Sequence, residues 1–178
     1  MRANSLAVAV LFLVSLPVAG QQKPVPLGNQ LRLRWHGHSV VIVKGKDRFE
    51  YALDSKLHST EIVSAKLLSA KEHEGFSYLL LEASGPSRGQ SAASSYCGAG
   101  VETDLVWLKL NTKWEVVDSS SFLQGSCFET ADGPDEGEWN GPVYSLEVTN
   151  YHDNAIYLVK YSYREPEKGL QITSKPVQ

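Results

Sequence analysis

Short apolar runs with a period of two, separated by close turn signals, constrain the fold of this chain more than any other feature. Leu31, Leu33 and Trp35 alternate with two arginines, as expected of a strand that buries one face. Turn signals follow at Gly37 and at residues 45–47, each ahead of another β-type run. Repeated along the chain, this pattern predicts an all-β fold, a single-domain antiparallel β-sandwich or barrel of about eight to ten short strands.

Two hairpins are the clearest elements of the pattern. The first joins residues 105–110 to residues 114–117, and the second joins residues 143–149 to residues 155–163. A last strand is predicted over residues 170–173.

Residues 60–74 are ambiguous between strand and helix. Their sequence contains good helix formers, but the apolar residues spread around a helical wheel instead of forming a stripe. We therefore predict a strand that turns at residues 72–75, with a helix as the alternative.

The first 20 residues have the layout of a secretory signal peptide. One basic residue, Arg2, precedes an apolar run over residues 6–16, and small residues stand before an expected cleavage point near Gly20-Gln21. The run is short for a membrane span, which needs about 20 apolar residues. We therefore expect a secreted or periplasmic protein of bacterial type.

After the signal peptide (residues 1–20), we expect a flexible lead over residues 21–30 and a single β domain over residues 31–175. The whole chain has 178 residues and a net charge of −3, with no basic block, which argues against nucleic acid as a partner. No apolar stretch of membrane-spanning length follows the signal. Phosphate-loop, dinucleotide and metalloprotease motifs are absent, so no cofactor is predicted.

The two cysteines are predicted to form a disulfide between Cys97 and Cys127. Each cysteine lies outside one strand of the first hairpin, so the hairpin would carry both towards the same end of the sheet. In an oxidising compartment, a bridge closing this loop stabilises the fold by about 3.7 kcal/mol. The alternative is a thiol enzyme, because Cys97 stands in a glycine-rich turn, but a strand pattern follows it instead of a helix.

The long loops over residues 85–100 and 131–142 are the predicted contact surfaces, since β-scaffolds carry function on their loops. The second loop supplies Trp139 as a candidate exposed contact, together with the acidic residues Asp135 and Glu136. Oxygen-rich loops bind calcium, but the spacing here does not match that of an EF-hand.

Tyr161 and Tyr163 share one face of a predicted strand and are further candidates for a binding surface. Aromatic faces bind sugars and peptides, but they also fill β-sandwich cores, and the pattern does not separate the two.

His36 and His38 flank Gly37 and offer an H-x-H pair for zinc, given a third ligand such as His58, His73 or an acid. The alternative is a turn with two exposed histidines. On an uninterrupted strand, Arg32 and Arg34 would extend the two histidines into a cationic stripe that faces either an acidic partner or solvent.

Together these observations predict an exported β domain that acts as a non-enzymatic binding module towards a protein or cell-envelope partner. The alternatives are a metal-assisted hydrolase that uses His36 and His38, and a small-ligand carrier if the strands close into a barrel.

Overall fold

The computed structural model of this chain describes residues 25–27, 31–87, 100–126, 131–132, 137–152 and 155–177. These residues form two antiparallel sheets. The small sheet has the order β1 (Val25–Leu27), β2 (Leu31–His36), β3 (Ser39–Lys44) and β4 (Asp47–Ala52). The large sheet contains nine strands: β5 (Ser64–His73), β6 (Phe76–Pro86), β7 (Val101–Leu110), β8 (Val116–Ser126), β9 (Ala131–Asp132), β10 (Glu138–Asn140), β11 (Val143–His152), β12 (Ala155–Tyr163) and β13 (Gln171–Pro176).

The large sheet is open, so the predicted all-β sandwich-like fold is confirmed and the barrel alternative is wrong. Its strand order is β13-β12-β11-β9-β8-β7-β6-β5, with β10 attached to β11, and no pairing joins the first strand of this order to the last. The carrier alternative was conditional on a closed barrel, and that condition is not met. The described residues contain more strands than the eight to ten predicted, because β1, β9 and β10 are too short to show a period.

The predicted flexible lead over residues 21–30 contains one of these short strands. β1 pairs with β2 in the register Val25 to Leu33. It lies at the edge of the small sheet, where Pro26 is tolerated because an edge strand has one side without ladder hydrogen bonds.

The ambiguous segment 60–74 is a strand over most of its length, as predicted, and the helix alternative is wrong. A register irregularity between Leu67 and Ser69 marks a β-bulge in β5. Leu67 is buried against one core, whereas Leu68 packs against the other. The bulge therefore explains why the apolar residues follow neither a helical stripe nor a strict alternation.

Both predicted hairpins are present. β7 pairs with β8 and β11 pairs with β12, each in an antiparallel register. β8 begins two residues later than expected, because Trp114 belongs to the turn, where its φ is 64°, and it extends to Ser126, nine residues beyond the predicted end. The last strand also extends beyond the predicted range of 170–173 and is exposed along its length.

Two apolar cores lie on opposite faces of β6 and β7. Leu79 and Leu81 face the core shared with the small sheet, while Tyr78 and Leu80 face the core shared with β11 and β12. Each of these side chains is 2% exposed or less. β6 and β7 therefore lie between the two cores. Burying one such side chain stabilises the fold by about 1.5–3 kcal/mol.

No helix of the described residues is long and apolar enough to cross a membrane. Cys97 and Cys127 lie outside the described residues. The structure therefore gives the predicted disulfide no support, and the bridge remains a prediction.

Candidate functional site

A connecting segment over residues 57–63, which we call the strap, crosses from the small sheet to the large sheet. Its backbone is fixed on both sides, because the Ile62 amide donates to the Gly37 carbonyl at 2.7 Å and the Val63 amide donates to the Ser84 carbonyl at 2.9 Å. Gly85 lies directly under the strap, and a Cβ on this glycine would collide with the Glu61 carbonyl. A glycine near the end of β6 therefore permits the close approach of two backbones.

The strap places the His58 ring against the buried carboxylate of Asp104. Asp104 is 0% exposed, and its Oδ1 atom lies 2.5 Å from Nδ1 of His58. The main-chain amide of His58 donates to the other oxygen, Oδ2, at 2.8 Å. Both carboxylate oxygens are thus held by one residue, whose ring remains 40% exposed.

Burial raises the pKa of Asp104, because the charged carboxylate loses its hydration. The two hydrogen bonds and the charge of His58 oppose this shift, and the neighbouring carboxylate of Glu102 reinforces it. The net direction is upward. The interior thus favours the protonated acid more than water does, and His58 limits the cost of the ionised form.

A second buried carboxylate lies two residues away on the same face of β7. Glu102 is 2% exposed and accepts a hydrogen bond on Oε1 from the Ser87 hydroxyl. Its Oε2 atom is buried and has no hydrogen-bond partner among the described residues. Carboxylates are rarely buried unless they are paired, so two of them on one strand mark this place as unusual.

The two buried carboxylates belong to a larger polar cluster. Of the six buried polar or charged side chains among the described residues, only Ser77 lies elsewhere. The other five lie on the strap or near the paired ends of β7 and β8, and we call them the polar cluster: Ser59, Glu102, Asp104, Gln124 and Ser126.

Both predicted loops begin beside the polar cluster. Pro86 pairs with Val101, so the first loop leaves and rejoins the sheet at adjacent positions. Ser126 pairs with Glu102 and also with Ala131, the first residue of the second loop. We call this end of strands β6 to β9 the loop-root end.

The second loop does not return to the loop-root end. It leads to β10, where Trp139 pairs with Tyr144 near the start of β11, whereas Ala131 pairs with Asn150 near the end of β11. Trp139 is 43% exposed, and its ring centre lies 5.3 Å from that of Tyr144. The predicted contact residue is thus exposed but stands several residues along β11 from the loop root. Asp135 and Glu136 lie outside the described residues.

The other candidate binding residues are located in the core. Tyr161 is 6% exposed and donates a hydrogen bond to the Leu123 carbonyl at 3.1 Å, and Tyr163 is 0% exposed. Burial raises the pKa of Tyr163 to about 12. Their shared face therefore packs inward and does not form part of the surface.

The two histidines of the H-x-H pair face different carboxylates. His36 lies 3.1 Å from Glu50, and His38 lies 3.1 Å from Asp54, with the turn at Gly37 between them. Among the described residues, no group of three His, Cys, Asp or Glu side chains is placed to hold a metal ion.

A cleft of about 360 Å³ lies at the opposite end of the large sheet, between the β5–β6 and β7–β8 turns. The Nζ atom of Lys44 lies 4.7 Å from the ring centre of Trp114 and 3.5 Å from Glu72. The chain's own lysine therefore occupies both the aromatic ring and the carboxylate that a cationic ligand would use.

Sequence reasoning missed Glu102 and Asp104, and it considered His58 only as a third zinc ligand and not as the partner of a buried carboxylate. The signal was present in β7, where Val106, Leu108 and Leu110 form an apolar stripe that Glu102 and Asp104 continue at the same period. A carboxylate on the buried face of a strand needs a partner, and that partner comes from the strap, 46 residues earlier in the chain.

Comparisons of this chain with protein-family models, with curated proteins and with solved structures returned no match.

Proposed function

We propose that this protein is an exported, non-enzymatic binding module that contacts a protein or cell-envelope partner through its loop-root end. The observation that supports this proposal is the position of the loop roots beside the polar cluster. Buried polar groups cost stability, and proteins retain them mostly where they specify an arrangement or serve a function.

Export and a disulfide are parts of the same proposal. The signal-peptide layout over residues 1–20 directs the chain to an oxidising compartment. Glu102 and Ser126 are directly paired, and Cys127 follows Ser126 in the chain, while Cys97 precedes Val101 by four residues. A Cys97–Cys127 bridge would tie the first loop to the end of β8 beside the polar cluster.

Site-specific photocrosslinking tests the contact surface. A photoreactive amino acid replaces Thr60 or Val101, which are exposed at the loop-root end. The matched controls carry it at Lys113 or Val117, which are exposed at the opposite end of the large sheet. The protein is exposed to envelope extracts, and the crosslinked species are identified by mass spectrometry. We expect one partner to crosslink from both loop-root positions and from neither control position. Equal crosslinking from the two ends would contradict the proposed surface.

Trp139 lies several residues along β11 from the loop-root end, so it tests whether the proposed contact surface extends that far. Trp139→Ala is expected to weaken retention of that partner while the unfolding midpoint changes little, because the side chain is 43% exposed. Ile156→Ala, at 41% exposure, is the matched control for the loss of an exposed apolar side chain. If both variants retain the partner as well as the unmodified protein does, Trp139 is not a contact.

The His58–Asp104 pair favours one second candidate function, general-base hydrolysis. When the carboxylate is ionised, it orients the imidazole through Nδ1 and leaves Nε2 to accept a proton from water that attacks an ester carbonyl. Hydrolysis of p-nitrophenyl acetate, compared between the unmodified protein, His58→Gln and the exposed-histidine control His73→Gln, tests this function. Equal rates for the two variants would exclude it.

A further inference from the structure

Three of the four arginines in the described part of the chain lie on one face of the small sheet. Alternation along β2, β3 and β4 turns Leu33, Val40 and Ile42 towards the core, so the intervening residues lie on the opposite face, where the three arginines are exposed and Val41 is 2% exposed. We call this outward surface the arginine face, and its nine positions are Arg32, Arg34, His36, Ser39, Val41, Val43, Arg48, Glu50 and Ala52.

The tertiary structure changes the membership of the cationic stripe expected from the sequence. The turn at Gly37 removes His38 from the line of Arg32 and Arg34. Arg48 joins the set instead, because β3 pairs Val43 with Arg32 on one side and with Arg48 on the other. By ordinary sheet spacing, Arg32 lies about 7 Å from Arg34 along the strand and about 10 Å from Arg48 across two strands.

Among the described residues, two of the three guanidinium groups have no ion-pair partner. Glu50 is the one acidic residue at the nine outward positions, and it lies 3.1 Å from His36 and 3.8 Å from Arg48. Arg32 and Arg34 are exposed and form no ion pair within the described residues. Their donors are therefore open to an oxyanion from outside the chain.

We propose that the arginine face binds an acidic polysaccharide through its carboxylate groups. A guanidinium presents a planar fork of N–H donors that matches a carboxylate at two points, which a lysine ammonium does not. The lysines of the described residues, in contrast, are dispersed over many elements and none is at the nine outward positions. A rigid sheet that sets the Cα atoms of its arginines about 7–10 Å apart suits a linear polymer that carries carboxylates at intervals.

Other classes of partner fit this face less well. None of the exposed large hydrophobic residues of the described chain lies on β2, β3 or β4, so the face lacks the apolar anchor that protein interfaces and membrane insertion use. Duplex nucleic acid carries one phosphate charge about every 1.7 Å of its axis, and the three arginines of this face could neutralise only a few of these charges. The arginine face and the core lie on opposite faces of the small sheet. The loop-root end belongs to the large sheet, so this proposal is independent of it.

Binding of galacturonate oligomers to the purified protein tests the proposal. Affinity is measured by calorimetry at about 20 mM and about 300 mM salt, with neutral dextran as the ligand control. The variant Arg32→Gln/Arg34→Gln removes the two open guanidinium groups. The matched control, Arg164→Gln/Lys175→Gln, removes the same charge from exposed positions outside the face. Thermal unfolding of each variant checks that the fold is intact.

We expect salt-sensitive binding of the oligomers, no binding of dextran, and roughly tenfold weaker binding by Arg32→Gln/Arg34→Gln alone. Arg32→Lys/Arg34→Lys should weaken binding as well, because the charge remains but the fork is lost. Absence of binding at low salt would overturn the proposal, as would equal weakening by the control variant. Tighter binding to vesicles of phosphatidylglycerol and phosphatidylcholine than to the oligomers would assign the face to a lipid surface and would also overturn it.

Discussion

The hydroxyl of Tyr51 donates a hydrogen bond of 2.9 Å to the main-chain carbonyl of Trp114 and joins the small sheet to the large sheet. Both residues are buried. The φ angle of Trp114 is 64°, in the left-handed region that bulky residues rarely adopt. This hydrogen bond and the ring of Phe49, stacked at 5.1 Å, hold the tryptophan in that conformation.

Tyr51→Phe should therefore destabilise the domain by about 1 kcal/mol, the net value of one hydrogen bond, with an unfolding midpoint lower by about 2–4 °C. Burial raises the pKa of Tyr51, so the hydroxyl remains a donor throughout the neutral range. Chemical denaturation measures the change. Tyr157→Phe, a half-buried tyrosine, is the control and should leave the midpoint nearly unchanged.

His58→Ala removes one of the two hydrogen bonds to a fully buried carboxylate. We expect a loss of about 1.5–3 kcal/mol in the free energy of unfolding, because hydrogen bonds to charged groups are stronger than neutral ones. His73→Ala is the control, since His73 lies at the exposed end of β5. Equal stability of the two variants would show that the His58 ring does not stabilise the buried charge.

Asp104→Asn should remove a pH dependence from the stability of the domain. The pKa of Asp104 is raised above its ordinary value of 3.8, so the folded state binds this proton more tightly than the unfolded state does. The resulting stabilisation is complete below 3.8 and is lost as the pH rises through the raised pKa. The unfolding free energy of the unmodified protein, measured relative to Asp104→Asn, should therefore fall across that window. A constant difference would contradict the raised pKa.

Gly85→Ala should destabilise the contact between the strap and β6. The added methyl group would overlap the Glu61 carbonyl, and overpacking of this kind costs about 1–3 kcal/mol. Gly125→Ala is a matched control in the neighbouring part of the large sheet, because a Cβ at Gly125 meets no atom within 4 Å. Thermal unfolding of both variants checks this prediction, which fails if the two midpoints fall equally.

Thiol titration tests the proposed disulfide. We expect no titratable thiol in the denatured, unreduced protein and two after reduction, since the chain contains two cysteines. Cys97→Ala/Cys127→Ala should lower the free energy of unfolding by about 2–4 kcal/mol. Two free thiols in protein recovered from an oxidising compartment would refute the bridge.

Periodicity predicted the elements of this fold well where strands are long and bury one face. Leu31 to Trp35 in β2 is an example, because alternate burial leaves a direct trace in the sequence, whereas the predicted second arm of the first hairpin covers only two residues of β8. β5 was harder to predict, since its bulge shifts Leu68 to the second core and breaks the alternation. Strands of two or three residues, such as β9, are too short to leave any pattern.

The candidate sites depended more on tertiary structure. The sequence could offer Tyr161 and Tyr163 as a binding surface or as core, and only the packing of β12 against the second core placed them inside. The sequence contains Glu102 and Asp104 on the apolar face of β7, but it does not show that they are buried. Their burial depends on the strap, which packs over this end of the strand.

The sequence alone determined that this chain forms antiparallel strands. Where a strand buries one face, as β2 does, its apolar alternation also determined which residues face the core. The tertiary structure decided that the large sheet stays open, that His58 contacts Asp104, and that Arg48 lies on the same face of the small sheet as Arg32. The physical reason is the range of the interactions. Alternation is a local consequence of the pleated backbone, whereas these pairs join residues from different strands or from the strap, and their positions depend on how the sheets pack.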